Sequence, residues 1–536
     1  MRMLRLALLT SCASVLALGV GCTAEFTSAE TGGTGGVGGS AGGETGGTGG
    51  VGGAAGTGGA GGTGGVASAG GSGGTGGSCN GAATPSDDSC VVTEDYGVFV
   101  SPKGDDSTAD GSRGAPYATL EAGLAAAYAA GKRVYACSSE GEYEPNGQLL
   151  VIDDSLSGTQ LYGGLDCDTW AYDATKPTEV VGDYAALYVN EVKGGLRIED
   201  FSFRAVDQTQ NSSIGALVKD SQGVLFKRVT FIAGKGADGE PGTDGLAGDP
   251  GPAPSDGQRG TAGTCSSPAD VQLGGFWSNP SSCGAKGGAG GTARKGEVGE
   301  VGRAGTPNTH VTPVGGNANG GPVGANGGDG ANGDSGENGG TAVGVGTFHG
   351  DGFDPSRAPD GADGFVGQGG GGGGSGDSAS GCIASSGGAG GMGGCGGTHG
   401  GGGEGGHASV ALISWRSAVT LTNCHLESGA GGAGGAGGDG ALGGDGGTGA
   451  QGAGGVSPGG AGGRGGRGGN GGSGAGGVGG PSYGLVYGGT KPAETNSCTF
   501  SVGSGGPGGE GGKLGGSVNP APDGPSGASA EMYEQT

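Results

Sequence analysis

The order of apolar and polar positions divides the chain into a patterned part and a glycine part. Val98-Phe99-Val100, Val134-Tyr135-Ala136-Cys137, Leu149–Ile152 and Leu161-Tyr162-Gly163-Gly164 read as short strands. Leu120, Leu124 and Tyr128 recur at helical spacing and Gly131 follows, so one amphipathic helix is predicted over 119–130. Further on, Leu196, Ile198, Phe201 and Phe203 align without gaps with Val224, Phe226, Val229 and Phe231, 28 residues later. The same four positions recur at Val419, Leu421, Cys424 and Leu426, 195 residues on, and in weaker form at Ala493, Thr495, Cys498 and Phe500, a further 74 on. Each pair is apolar-x-apolar, so both members face one side of a strand. Such repeats cannot bury an apolar face alone and must stack.

The order of these elements resembles the opening of right-handed parallel β-helix proteins of the pectate-lyase-like superfamily. The residues that carry the resemblance are Val100-Ser101-Pro102-Lys103-Gly104-Asp105-Asp106, Ala115-Pro116-Tyr117-Ala118-Thr119-Leu120 and Gly141-Glu142-Tyr143, with Tyr162-Gly163-Gly164-Leu165, Cys167 and Trp170. It covers about residues 96–205. The expected fold is therefore all-β, a right-handed parallel β-helix with an N-terminal capping helix and a glycine-rich lobe.

The spacings locate that lobe. Beyond one 28-residue repeat, the offsets of 195 and 74 leave excesses of 167 and 46 residues, which fit glycine-rich blocks at 236–406 and 431–480. Both blocks begin five residues after the last apolar repeat position, Phe231 or Leu426, so successive repeats carry their inserts on the same loop. Within the blocks glycine recurs every third residue, as from Gly236 to Gly251 and from Gly459 to Gly480. A period of three matches polyproline-II-type helices. By period alone the blocks resemble the glycine lattices of insect antifreeze proteins and of Obg-type GTPases, and the PGRS type of glycine-rich repeat. Two readings stay open: a polyglycine-II-like bundle held by backbone hydrogen bonds, or disorder, because ordering glycine costs the most backbone entropy. The expected segments are 1–22 lipoprotein-type signal peptide, 23–78 glycine-rich flexible tether, 79–235 β-helix start, 236–406 glycine-rich insert, 407–430 β-helix coil, 431–480 glycine-rich insert, 481–502 terminal β-helix coil and 503–536 glycine-rich and disordered tail.

Composition narrows the class. Glycine supplies 153 of 536 residues, about four times ordinary usage. Large apolar residues are too few for one core spanning the chain. A net charge of −26 excludes a basic nucleic-acid footprint. Arg2, Arg5 and the apolar run Leu6 to Val20 read as an export signal. Gly21-Cys22 resembles a bacterial lipoprotein junction, which implies lipidation of Cys22 and a membrane partner through a lipid anchor, at the outer membrane or cell surface.

Ten cysteines remain in the exported part, and an even count reads as disulfides. Nearest-neighbour pairing gives Cys79–Cys90, Cys137–Cys167, Cys265–Cys283, Cys382–Cys395 and Cys424–Cys498. Cys382, Cys395, His399 and His407 lack zinc-finger spacing. Asp329, Asp334, Glu337, Asp351 and Asp439 offer calcium-type donors, but the calcium-binding nonapeptide is not matched in series. The carboxylates Asp153, Asp154, Glu199 and Asp200 show no pattern that ties them to one glycosidase-type site. The histidines are His310, His349, His399, His407 and His425. No catalytic residue, metal or cofactor is expected. The sequence reads as a non-enzymatic structural or adhesive surface protein. The alternative is a polysaccharide-binding or polysaccharide-degrading protein, with a polysaccharide or other cell-surface ligand as partner. Ice or mineral binding by a flat glycine face is a third.

Overall fold

The computed structural model describes residues 79–145, 149–266, 269–312, 318–514 and 519–536, all within one compact unit, Gly76–Thr536. The expected signal peptide, Cys22 and the tether lie outside the described residues.

The helix forms over Leu120–Ala130. Thr119 caps it by accepting from Ala122 N–H, and Gly131 ends it in the left-handed region at φ 62°. Leu120, Leu124 and Ala127 enter the core, whereas Tyr128, expected on the same face, is exposed. Gly123 lets the helix lie close on the first strand, since a Cβ there would sit 2.3 Å from Val100 Cγ2.

Six short strands pair as three two-stranded antiparallel sheets, and the other described strands form three parallel sheets. The first holds Gly97–Val100, Arg133–Cys137, Gln160–Leu165, Leu196–Glu199, Val224–Lys227 and Val419–Thr422. The second holds Thr178–Gly182, Phe201–Ala205, Thr230–Ala233, His425–Ser428 and Thr499–Val502. The third holds Leu150–Asp153, Ala185–Asn190, Ser213–Lys219, Ser409–Trp415, Ser482–Gly488 and Ser529–Glu534. The expectation of a single right-handed parallel β-helix is thereby corrected: the sheets are separate, and no one helical sheet runs through them. The corners explain the breaks. Asp200, Arg228 and Asn423, at φ 62°, 53° and 52°, interrupt the chain between the first and second sheets. Glu191, Asp220 and Arg416 do the same after the third, at φ 57°, 49° and 48°. A left-handed residue turns the backbone out of its ladder.

The sequence spacings are hydrogen-bonding registers. Leu196 pairs with Val224 and Val224 with Val419, while Phe203, Phe231, Leu426 and Phe500 lie on successive neighbours of the second sheet. Their side chains meet in one core shared by all three sheets. Phe203 stacks on Phe231 at 6.1 Å, and Phe226 meets Phe231 edge-on at 5.0 Å. Each such ring contributes about 1.5–3 kcal/mol by burial. The third sheet is covered on both faces. Leu187, Val218 and Leu412 point to the common core. Ile214, Leu217, Ile413 and Val486 pack outward, against Phe348 and Phe353 of the hairpin Gly346–His349/Gly352–Pro355.

The glycine segments extend two of these ladders. Leaving the second sheet, residues 236–251 run parallel to 430–445, with Gly239 N–H on Ala433 O, Gly242 on Ala436 and Gly245 on Asp439, all at 2.8 Å. Entering the third sheet, residues 388–406 run parallel to 460–478, from Gly388 N–H on Gly460 O to Gly406 on Val478. The two layers then bond to each other antiparallel, as in Gly435 N–H to Glu404 O and Gly444 N–H to Cys395 O. Segment 459–480 shows the threefold logic. Gly465 donates to Gly447 O, Gly466 to Gln368 O and Arg467 to Asn332 Oδ1, so three consecutive residues serve three different neighbours. That repeat is the three-residue turn of a polyproline-II-type helix. Close approach is what demands glycine. A Cβ on Gly393 would lie 1.8 Å from Gly367 O, and one on Gly394 would lie 2.0 Å from Gly444 O.

Where a parallel neighbour leaves an amide facing outward, an Asx side chain closes it. Ala433 N–H donates to Asp238 Oδ1, Asp439 to Asp244, Ala461 to Asn326, Arg464 to Asp329 and Ser473 to Asn338, at 2.6–3.0 Å. The residue before the next glycine thus supplies a rung that the backbone cannot.

Two expected disulfides are present, Cys79–Cys90 and Cys137–Cys167. The pairing of the next four is corrected to Cys265–Cys382 and Cys283–Cys395. These bonds span 117 and 112 residues, because the lattice returns a distant segment to each cysteine's side. Cys424 and Cys498, expected to be bonded, are free thiols on neighbouring positions.

Candidate functional site

The carboxylates nominated for hydrolysis do not converge. Asp153 caps a short 3-10 helix by accepting from Ser155 N–H at 2.9 Å, and Asp154 accepts from Ser157 Oγ and Lys193 N–H. Glu199 and Asp200 are buried at a corner, and their oxygens are occupied by Arg197, Lys227 and Arg228. Tyr172 O–H completes that corner at 3.0 Å from Asp200 Oδ2. Such a fully paired cluster fixes the geometry of a left-handed turn.

The histidines are dispersed. His310 stacks on Phe365 at 4.2 Å, His349 lies 3.3 Å from Asp354, and His399 lies 2.7 Å from Asp363. His425 Nδ1 meets Thr499 Oγ1 at 2.8 Å. His407 lines a cleft of about 290 Å³ with Tyr184, Asn211, Asp351 and Phe353. Burial pushes the His407 imidazole below its ordinary pKa, and its Nδ1 has no hydrogen-bond partner.

The calcium-type residues do not gather at one place: Asp351 lies in the hairpin over the third sheet, and Asp329, Asp334, Glu337 and Asp439 lie in the glycine-rich segments. Asp329 is a rung to Arg464, and Asp439 accepts from Lys513 N–H at 2.6 Å. Asp334 accepts from Thr312 Oγ1, and Asp351 holds Lys219 Nζ at 2.6 Å. Among the described residues, the one group with metal-type donors in mutual reach is Cys137, Glu140 and Cys167. Its two sulfurs are bonded to each other, so they are not thiolate ligands. No helix among the described residues is long and apolar enough to cross a membrane.

A larger cleft, about 600 Å³, opens on the lattice between segment 249–258 and the loop 277–282. Trp277 and Met392 line it, with Pro250, Pro252 and Pro280. Trp277 is half-buried, and its indole N–H donates to Gly390 O at 2.6 Å, which fixes the ring on a central lattice segment. Gln258 is buried behind the loop and donates to Phe276 O at 3.1 Å, while its Oε1 accepts from Ser255 N–H and Oγ. Both long disulfides bracket this region: Cys265 ties one side of the loop to Cys382, and Cys283 ties the other to Cys395. Sequence reasoning passed over Trp277. The available signal was a tryptophan between two cysteines, Cys265 and Cys283, inside a glycine-rich block.

No protein-family model, curated protein or solved structure matches the chain.

Proposed function

We propose that this protein is a non-enzymatic structural or adhesive protein of the cell surface, lipid-anchored through Cys22 to the outer membrane. The lattice is the observation that carries this reading. Its glycine segments spend their backbone hydrogen bonds on one another and continue the registers of the sheets. A plate built this way is stiff without a large apolar core and presents side chains at a fixed threefold spacing. Four disulfides suit an oxidising, exported setting.

The test compares cells displaying the full chain with cells displaying a chain that lacks residues 236–406, scored for adhesion to glycan-coated surfaces and for wall integrity. Loss of either property with the lattice supports the proposal. Equal behaviour of the two strains removes it. The purified full chain is also incubated with a panel of polysaccharides and their size distribution is followed. Unshortened chains agree with the proposal, and shortened chains replace it with a degradative enzyme.

A further inference from the structure

We infer that the cleft beside Trp277 binds a neutral saccharide through stacking on the indole ring; the inference rests on the adhesive reading above. Three observations lead there. First, the ring is held in place and its only polar atom is already used, on Gly390 O. A ligand is therefore offered an apolar aromatic surface and no indole hydrogen bond. Second, the rim is uncharged apart from Asp249, whose Oδ2 already accepts from Ser282 Oγ at 3.0 Å. No lysine, arginine or histidine lines the cleft. That composition offers nothing to a phosphate, sulfate or uronate, and the net charge of −26 repels them. Third, the exposed side chains of Ser278 and Asn279 sit at the edge of the ring's cleft, where they supply donors and acceptors for hydroxyl groups. An aromatic floor with a hydroxyl and amide rim suits a ring that is apolar on its faces and hydroxylated at its edge, which is the surface of a neutral pyranose.

The support around the cleft favours a site over a chance hollow. Gln258 is buried and bridges the two walls of the cleft: its amide donates to Phe276 O, one residue before Trp277, and its Oε1 accepts from Ser255 in the facing segment. Cys283–Cys395 ties that loop to the same lattice segment that anchors the indole. Little rotamer freedom is left to lose on binding, which is the condition for a weak contact to become specific.

Binding is measured on the full-length protein by intrinsic fluorescence and by calorimetry. The probes are neutral gluco- and galacto-oligosaccharides, polygalacturonate fragments and a decaproline peptide. Trp277→Ala is expected to weaken the neutral oligosaccharides about tenfold or more, and Trp277→Phe to weaken them less. Asn279→Trp fills the cleft without touching the Gly390 contact, so it keeps the test open if the first variant misfolds; it is expected to abolish binding. No binding of any neutral oligosaccharide, binding that all three variants retain, or binding of the acidic fragments or decaproline in their place would each overturn the inference. Adhesion of displaying cells that survives Trp277→Ala but not loss of the lattice would leave the adhesive proposal standing and remove the saccharide site alone.

Discussion

Asp238 Oδ1 accepts from Ala433 N–H at 2.7 Å across 195 positions of sequence, the same separation at which Phe231 lies beside Leu426 in the second sheet. The glycine lattice therefore keeps the register of the strands it springs from, and an aspartate side chain completes a rung that the backbone leaves open. Asn is sterically equivalent at such a position and Ala is not. In Asp238→Ala the amide of Ala433 is expected to exchange with solvent markedly faster, whereas in Asp238→Asn it keeps its acceptor and its protection. Native-state hydrogen exchange read at Ala433 and its neighbours makes the comparison. Equal protection in wild type and Asp238→Ala would show that water replaces the carboxylate at no cost.

Glycine positions should divide sharply by what faces them. A Cβ on Gly466 would stand 1.9 Å from Ala331 O, a backbone atom with no room to yield. At Gly340 a Cβ meets nothing within 4 Å. Gly466→Ala is expected to destabilise the lattice by about 1–3 kcal/mol or more. Gly340→Ala should be neutral or slightly stabilising, since it lowers the entropy of the unfolded chain. Half-lives against a nonspecific protease at graded temperature separate the two. Similar half-lives for both variants would mean that residues 459–480 are not packed as the hydrogen bonds require.

Much of the sheet system was legible because its repeats carry bulky residues at fixed offsets. Phe203, Phe231 and Leu426 announce one inward row. The third sheet was harder to read. Ser213-Ile214-Gly215-Ala216-Leu217 and Ser409-Val410-Ala411-Leu412-Ile413 carry apolar residues toward both faces, because Phe348 and Phe353 cover the outer one. Two-sided burial erases the alternation that marks a strand. The separation into three sheets was equally hidden, since Asp200 and Asn423 tolerate the left-handed region but Arg228, at the same corner, does not advertise it. Disulfide partners failed for a topological reason. Nearest-neighbour pairing assumes local loops, whereas Cys283 meets Cys395 because segment 387–406 returns alongside the outgoing segment. Of the candidate cleft, the sequence shows Trp277 and the cysteines but not Gly390, whose carbonyl gives the ring its orientation.

The hairpin over the third sheet should loosen in acid. Asp351 accepts from Lys219 Nζ at 2.6 Å and from Tyr188 O–H at 2.9 Å, both of which belong to the third sheet. The Lys219 hydrogen bond, chiefly, holds the Asp351 carboxyl below its ordinary pKa, with the Tyr188 bond acting the same way. A carboxyl lowered on folding contributes stability above its unfolded value and loses it as pH falls through the folded one. Amides of Gly346–His349 and of residues 352–354 should therefore lose protection, after correction for intrinsic exchange, as pH falls below about 4. Asp351→Asn should show the same loss at pH 6. Protection that is flat with pH in wild type would mean that Phe348 and Phe353 hold the hairpin by burial alone.

The two free thiols should react in a fixed order. Cys424 is buried and Cys498 half-buried, one position before the paired residues His425 and Thr499, so the sulfurs are neighbours across two strands. The Cys424 thiol donates to the Phe226 and Thr422 carbonyls and that of Cys498 to Leu421 O, and the proximity of the two sulfurs lowers the pKa of Cys498 and, with burial, raises that of Cys424. Iodoacetamide on the native protein should modify Cys498 first, with a rate that rises at lower pH than for an ordinary thiol, because the thiolate is the nucleophile. Cys424 should react only after unfolding. Cys424→Ala removes the neighbouring polar group and should move the Cys498 profile to higher pH, whereas Cys424→Ser keeps one and should hold it lower than the alanine variant does. Peptide mapping by mass spectrometry follows both sites. A native mass short by two hydrogens and no alkylation at either site would instead reveal a fifth bridge, Cys424–Cys498. Simultaneous alkylation of both thiols would show that the end of the stack opens far enough to expose Cys424.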